Sequence, residues 1–243
     1  MNPKVIKAVI LAAGRGTRMR ELTNEIPKPM IEVRGKPILQ HIIEGLQAVG
    51  FQRLLVVVGY KKEVIQNHFG NGFSYGVSIE YVEQTIQDGT GKVIELARDF
   101  CDQDPFLLSY GDILVDPVYY KLLSDLGDAE MLLTVRYTDD VSKGGAVYLN
   151  NSFKVVNLQE KQNLGETATK WYNAGIYIFR PSIFPYVATL EKSPRGEYEL
   201  TDAIRAMVKT GQKIHAIEIK GDWADVRDPE VLTELNRARP SLG

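Results

Sequence analysis

The 243 residues are enough to bury one substantial α/β core, alone or with a subdomain. Basic and acidic residues nearly balance, 29 against 31, so no global field recruits nucleic acid or a membrane surface, and an anionic ligand must be held by local placement. The single cysteine, Cys101, excludes an internal disulfide framework and a cysteine-based zinc site, and no apolar run approaches the ~20 residues of a bilayer span.

In chain order, Lys7–Leu11 reads as a buried strand that ends in a glycine loop, Gly14-Arg15-Gly16-Thr17-Arg18-Met19. Lys4 and Lys7 flank this short run, which is no secretory core and makes the cytoplasm the expected location. Pro37–Val49 reads as a helix with Pro37 at its first turn, Leu39, Ile42, Ile43 and Leu46 on one face and Gly50 as its stop. Leu54–Val58 is a β-branched run suited to a strand covered on both faces. A short helix over Glu63–Phe69 and a strand over Val77–Val82 follow, and Thr90 is placed to cap a helix reaching about Phe100, which carries Cys101 as a packing residue. Phe106–Ser109 is a further strand, ending in Tyr110-Gly111-Asp112. This β-α-β-α-β order predicts a largely parallel sheet wrapped by helices. The second half reads as strands Met131–Tyr137, Gly145–Leu149, Val155–Leu158 and Gly175–Phe179, a helix within Tyr198–Lys209 ended by Gly211, a strand Ile214–Ile219, and an amphipathic closing helix from Pro229 to Arg239. No repeat or Pro/Ser-rich linker divides the chain.

The glycine loop is the most informative stretch. Glycines let backbone N–H groups approach a ligand closely, and successive N–H groups with a guanidinium suit phosphate oxygens. Its place after a first strand is where open α/β sheets bind ligands. Met19 stands where the dinucleotide fingerprint wants a third glycine, and Gly16-Thr17-Arg18 replaces the Gly-Lys-Ser/Thr of the ATPase phosphate loop. The loop therefore reads as a triphosphate site of another kind.

These residues resemble the sugar-1-phosphate nucleotidylyltransferases, whose signature is Gly-x-Gly-Thr-Arg-Met/Leu after the first strand and then Pro-Lys-Pro. The likeness runs through Pro27-Lys28-Pro29, Gly111-Asp112, Glu160-Lys161, Asn173-Ala174-Gly175, Glu199-Leu200-Thr201-Asp202 and Trp223-Ala224-Asp225-Val226, in the family's order over nearly the whole chain. The resemblance implies a Rossmann-like three-layer sandwich with a mostly parallel mixed central sheet. It implies one domain over residues 1–243, with about 1–115 serving the nucleotide and about 116–243 the sugar, and no appended β-helix. Its family often forms dimers or tetramers, so a homo-oligomer is expected; nucleic acid and membrane are not expected partners.

The implied chemistry joins an NTP and a sugar 1-phosphate by in-line attack of a phosphate oxygen on the α-phosphorus, which calls for positioning, cations and Mg²⁺ and for no covalent intermediate. In that scheme Arg18 holds the departing β- and γ-phosphates and Lys28 reaches the α-phosphate. Leu11, Ala13, Gly14, Gly16, Thr17, Gln84, Gly89 and Thr90 join Arg18 around the nucleotide, with the Gln84 amide complementing the imide edge of uracil or thymine. Asp112 and Asp225 are the implied Mg²⁺ ligands, ahead of Asp116 and Asp228. Gly145, Glu160, Lys161 and Asn173 face the sugar phosphate, and Glu199 and Asp202 either line that pocket or cap the following helix. Lys92 reads either as a further phosphate contact or as a solvated lysine at a helix start. His41, His68 and His215 read as structural.

Three departures from the family pattern stand out. Gln162 replaces the proline after Glu-Lys, Gly91-Lys92 follows Gly89-Thr90 where alanine is common, and Val226-Arg227-Asp228-Pro229 replaces Val-Gly-Thr-Pro, bringing Arg227 close to the expected metal. The favoured substrates are UTP or dTTP and a hexose 1-phosphate. Cytidylyl transfer to phosphocholine and non-catalytic sensing of a nucleotide sugar are the alternatives. Sensors of this fold typically lose the loop arginine, the Pro-flanked lysine or a metal aspartate, all of which are present here.

Overall fold

The computed structural model describes residues 5–141, 144–160 and 168–237. In chain order the strands and helices are β1 (Lys7–Leu11), β2 (Glu32–Val33), β3 (Lys36–Pro37), α1 (Ile38–Ala48), β4 (Arg53–Val58), α2 (Lys62–Phe69), β5 (Ser78–Glu83), α3 (Arg98–Cys101), β6 (Phe106–Tyr110), β7 (Ile113–Val115) and α4 (Val118–Leu123). The second half adds β8 (Met131–Tyr137), β9 (Gly145–Leu149), β10 (Val155–Glu160), β11 (Trp171–Phe179), α5 (Phe184–Ala188), α6 (Leu200–Lys209), β12 (Ile214–Glu218), β13 (Trp223–Asp225) and α7 (Pro229–Arg237). Among the described residues no helix is long and apolar enough to cross a membrane.

A mixed sheet organises these elements. Strands β6, β1, β4 and β5 lie side by side and parallel. Antiparallel β11 pairs with β6, β8 and β9, and extends the sheet to β10 and to β12. The apolar runs of β1, β4 and β6 are buried on both faces, as their lack of alternation predicts. Ala8, Ile10, Leu54, Val56, Val58 and Leu107 point into one core with Ile38, Leu39, Ile42 and Leu46 of α1 and Ile65 and Phe69 of α2. Val9, Leu55, Val57, Phe106 and Leu108 point into the opposite core, closed by Val93, Ile94, Phe100, Phe184 of α5 and Ala203, Ile204 and Met207 of α6. The architecture is the expected α/β sandwich.

Three local expectations need correction. Thr90 caps no long helix: Gly91 precedes a 3-10 segment, Lys92–Ala97, with no side-chain cap, and only Arg98–Cys101 is α-helical. The β-branched Val93 and Ile94 that drive this segment into the core contribute little helix propensity. Strand β11 starts at Trp171 instead of Gly175, because its N-terminal half pairs with β8 and β9 and its C-terminal half with β6. Between those halves the register shifts, and Gly175 takes φ +81° where a Cβ would lie 3.0 Å from the Tyr110 ring. A two-stranded antiparallel ribbon, β7 with β13, was not visible in either short segment. It decides the position of Asp225.

Phe106 is fully buried and its ring sits 5.8 Å from those of Phe179 and Phe184, tying β6 to β11 and α5. Phe106→Ala should cost about 3–5 kcal/mol in urea denaturation, whereas truncation of the exposed Phe73 should change stability by less than about 0.5 kcal/mol.

Candidate active site

At the end of β1 the chain enters the loop with its backbone tied to the neighbouring strand and loops. Ala12 N donates to Val57 O at 2.8 Å, and the Ala13 carbonyl accepts from Tyr60 N (3.1 Å) and Gln87 Nε2 (2.9 Å). Gly16 has φ +74°, accepts a hydrogen bond from Met19 N, and would carry its Cβ 2.6 Å from Lys28 Cβ. Only glycine lets the aliphatic stem of Lys28 pack there. Met19 is buried as an anchor, and Thr17 and Arg18 stay exposed on a 3-10 turn over Thr17–Thr23.

Lys28 begins a short 3-10 turn, Lys28–Met30, held by Pro27 and Pro29, and is itself buried. Its Nζ donates to Asp112 Oδ2 at 2.5 Å. Asp112 follows Gly111, whose N–H donates to Leu11 O at 2.9 Å and whose Cβ would collide with that oxygen at 2.7 Å. The ribbon then brings up the second carboxylate: Asp225 pairs with Ile113, and Val226 N donates to Asp112 O at 2.9 Å. Trp223 Nε1 donates to Ala174 O at 2.9 Å and pins the ribbon to β11.

Burial, and then the Asp112 charge, raise the Asp225 pKa above the usual carboxylate range; Lys28, Arg227 and Arg18 oppose that rise. Two carboxylates that repel at one half-buried spot suit an oxygen-preferring cation. Among the described residues no group of three or more His, Cys, Asp or Glu gathers for a metal. A metal here would take these two carboxylates and complete its shell with ligand oxygens and water.

A cleft of about 380 Å³ opens above this floor. It is lined by Leu11, Ala13, Gly14, Gly16, Thr17, Arg18, Lys28, Gln84, Gly89, Thr90 and Asp112, so all the expected nucleotide residues reach one wall or another. Gln84 leaves β5 with its N–H on Val58 O (2.8 Å) and its Nε2 on Gly89 O (3.4 Å). Gly89, at φ +116°, bridges to Tyr198, and a Cβ would sit 2.4 Å from the Tyr198 carbonyl oxygen. The Thr90 hydroxyl turns to the Tyr110 phenol instead of capping a helix.

The expected sugar residues meet beside Tyr110. Register places Glu160 opposite Gly145, and a Gly145 Cβ would lie 3.2 Å from Asn173 Cβ and 3.5 Å from Glu160 Oε2. Asn173 Nδ2 donates to Tyr177 Oη at 2.8 Å, and that hydroxyl donates to Tyr110 Oη at 3.4 Å. Burial and the neighbouring phenol hold Tyr177 well above its ordinary pKa, so it stays a neutral donor. The chain Thr90–Tyr110–Tyr177–Asn173 thus links the cleft to the Glu160 cluster. Lys161 lies outside the described residues.

Against this geometry the comparisons with known proteins decide the family. A model described as nucleotidyl transferase matches residues 7–241. The bifunctional protein GlmU of Methanococcus aeolicus is 38% identical over 229 residues, covering 94% of this chain and 53% of that protein. The chain spans about half the length of such GlmU relatives. A UTP–glucose-1-phosphate uridylyltransferase, AglF of Haloferax volcanii, is 37% identical, with 93% of each chain covered.

The chain belongs to the nucleotidyl transferase family.

Its resemblance to sugar-1-phosphate nucleotidylyltransferases is thereby borne out. A UDP-glucose pyrophosphorylase crystallised with UDP-glucose shares the fold, with a TM-score of 0.86, 24% identity and 96% and 97% of the two chains covered. Within this nucleotidyl transferase, Gln87, Tyr110 and Arg227 also line the cleft and were not singled out as ligand contacts from sequence. The Tyr110-Gly111-Asp112 adjacency offered a signal for Tyr110, and the departure at Val226-Arg227-Asp228-Pro229 one for Arg227; Gln87 had none.

Lys92 does not line the cleft: its Nζ donates to Ala188 O at 3.0 Å, over the Tyr198 ring. Glu199 neither caps α6 nor lines the main cleft; it binds Arg195 at 2.5 Å and Ser193 at 3.1 Å, while Asp202 pairs with Arg205. Both border a neighbouring cleft that shares Glu160. Asp116 and Asp228 accept backbone N–H groups of Val118 and Val231, and His41 bonds Val33 O.

A Cβ at Gly14 meets nothing within 4 Å, in contrast to Gly16. Gly16→Ala should therefore lower stability by about 1–2 kcal/mol from the left-handed backbone alone, with more from the displaced Lys28, while Gly14→Ala should be close to neutral in the same denaturation series.

Proposed function

We propose that the chain transfers a uridylyl or thymidylyl group from UTP or dTTP to a hexose 1-phosphate, releasing pyrophosphate. The observation that carries this reading is the cleft in which the glycine loop faces the Lys28–Asp112 pair, with Asp225 on the adjoining ribbon and Gly145, Glu160 and Asn173 gathered beyond Tyr110 and Tyr177. The uridylyltransferase activity named for the Haloferax relative supports UTP. In this reading Arg18 and the loop amides hold the β- and γ-phosphates, Gln84 reads the base, and the Glu160 and Asn173 side chains take sugar hydroxyls.

The acceptor phosphate is already an anion, so no residue is needed as a general base. Lys28 stabilises charge at the α-phosphate from a position preset by Gly16 and the two prolines. The Tyr110 and Tyr177 phenols, kept neutral by burial, orient the acceptor without adding charge. A divalent cation such as Mg²⁺, when bound by Asp112 and Asp225, supplies charge neutralisation on phosphate oxygens. The two halves then contribute jointly, since Arg227 from the second half lines the nucleotide cleft and Tyr198 backs Gly89.

Pyrophosphate release over a matrix of NTPs and sugar 1-phosphates tests the reading. One dominant pair with UTP or dTTP is the expected outcome. Signal confined to CTP and phosphocholine would move the protein to the sister activity, and nucleotide-sugar binding without turnover would make it a sensor. Asp112→Asn should lower kcat by ~100-fold or more with the fold retained by circular dichroism; retained turnover would overturn the metal-ligand role. Asn173→Ala should raise KM for the sugar phosphate about tenfold and leave KM for the nucleotide unchanged, as expected for one lost hydrogen-bonding side chain.

A further inference from the structure

Gln87 lines the nucleotide cleft without belonging to the phosphate loop, the base contact or the sugar cluster. Its Nε2 donates to Ala13 O at 2.9 Å, an oxygen that also accepts Tyr60 N at 3.1 Å. A carbonyl can only accept, so the amide must turn its nitrogen toward Ala13. The anchor has little room to shift, because Gly59 packs so closely that a Cβ there would lie 2.8 Å from Ala13 O. That orientation leaves Oε1 as the unengaged atom of the amide. Among the described residues it meets no donor, and Gln87 is exposed.

The sheet orders the cleft from end to end. Register sets Tyr110, Leu11, Val57 and Val82 in one row across β6, β1, β4 and β5. Beyond that row β6 leads to Asp112, β1 to Ala13 and β5 to Gln84. Neighbouring strands lie about 4.8 Å apart, so the end of β1 stands between the carboxylate and the base-reading glutamine. With the base at Gln84 and the phosphates at Lys28 and Asp112, the pentose that joins them crosses the end of β1. There the Gln87 amide is fastened. Gln87 itself belongs to the loop of Gln84 and Gly89, on the base side. In a ribonucleotide the 2′-hydroxyl sits next to the carbon that bears the base, and the 3′-hydroxyl next to the carbon that leads to the phosphates. An acceptor reaching in from the base-side loop meets the 2′-hydroxyl first.

We propose that Gln87 is a specificity-determining residue whose Oε1 accepts a hydrogen bond from the ribose 2′-hydroxyl, so that the cleft selects UTP over dTTP. The inference rests on the uridylyl or thymidylyl reading above and chooses between its two nucleotides. Because Oε1 is open to water when no ligand is bound, the selection is worth one net neutral hydrogen bond and carries no buried-polar penalty.

The test measures kcat/KM for UTP, dUTP, 3′-deoxy-UTP and dTTP with one accepted hexose 1-phosphate, in wild type, Gln87→Ala and Gln87→Met, each checked by circular dichroism. UTP and dUTP differ only at the 2′ carbon, so the 5-methyl group of thymine does not enter the comparison. Wild type should prefer UTP to dUTP, and both variants should lower that preference about three- to tenfold. The UTP-to-dTTP ratio should fall by the same factor, and the ratio of UTP to 3′-deoxy-UTP should stay as in wild type. A merely structural role would slow every nucleotide alike and leave all ratios unchanged. Titration calorimetry with UTP and dUTP makes the same comparison without turnover.

Equal use of UTP and dUTP by wild type, or an unchanged ratio in the folded variants, would overturn the assignment while the transfer reaction stands. A change confined to 3′-deoxy-UTP would overturn it as well. A wild type that neither binds nor turns over any uridine or thymidine nucleotide would overturn the functional reading, and this assignment with it.

Discussion

The meeting of Asp112 and Asp225 at one partly buried place is the constraint around which the site is arranged. Bringing two carboxylates to one half-buried place is costly, and burial first, then the Asp112 charge, raises the pKa of Asp225. The surrounding structure offsets it with cations of different kinds. Lys28 is a compact ammonium on Asp112, and Arg227 is a planar guanidinium beside Asp225. Such a spot is stable enough to persist, yet gains further from a bound cation or from phosphates that bring one.

The sheet supplies the rigidity this arrangement needs. Strands β1, β4 and β6 bury both faces, so their register is set by side chains entering two separate cores. That register brings Leu11 level with Val57 on one side and with Tyr110 on the other, so the loops after β1 and β6 leave the sheet side by side. Close backbone contact at Gly111 then puts Asp112 beside the glycine loop. The polar phenol chain from Tyr110 to Asn173 uses the same strands, β6 and β11, to carry the surface onward to Glu160. Catalytic geometry and core packing therefore share one framework.

Legibility in the sequence followed the range of the physical signal. Continuous apolar runs for β1, β4 and β6 and the helical face of α1 declare themselves within a few residues. Segments whose state depends on remote partners did not. Thr90 has a capping side chain, but its hydroxyl goes to Tyr110 and the residues after it form a 3-10 segment instead of a long helix. Trp171–Ala174 carries no turn or period that separates it from a loop; pairing with β8 and β9 makes it strand. Three residues of β13 are too short for any periodicity, although they carry Asp225.

Taken alone, the sequence determined the α/β class, the glycine loop and the candidate residues Arg18, Lys28, Asp112, Asp225, Gly145, Glu160 and Asn173, because residue type and order along the chain carry that information. Tertiary structure decided which of them touch. The Lys28–Asp112 contact spans 84 positions and the Asp112–Asp225 ribbon joins opposite halves of the fold. Tertiary structure likewise decided that Lys92 and Glu199 serve packing and ion pairs outside the main cleft, and that Gln87 spends its amide nitrogen on Ala13 O. Pairings of this kind arise from strand register and loop closure, which no local pattern of residues encodes.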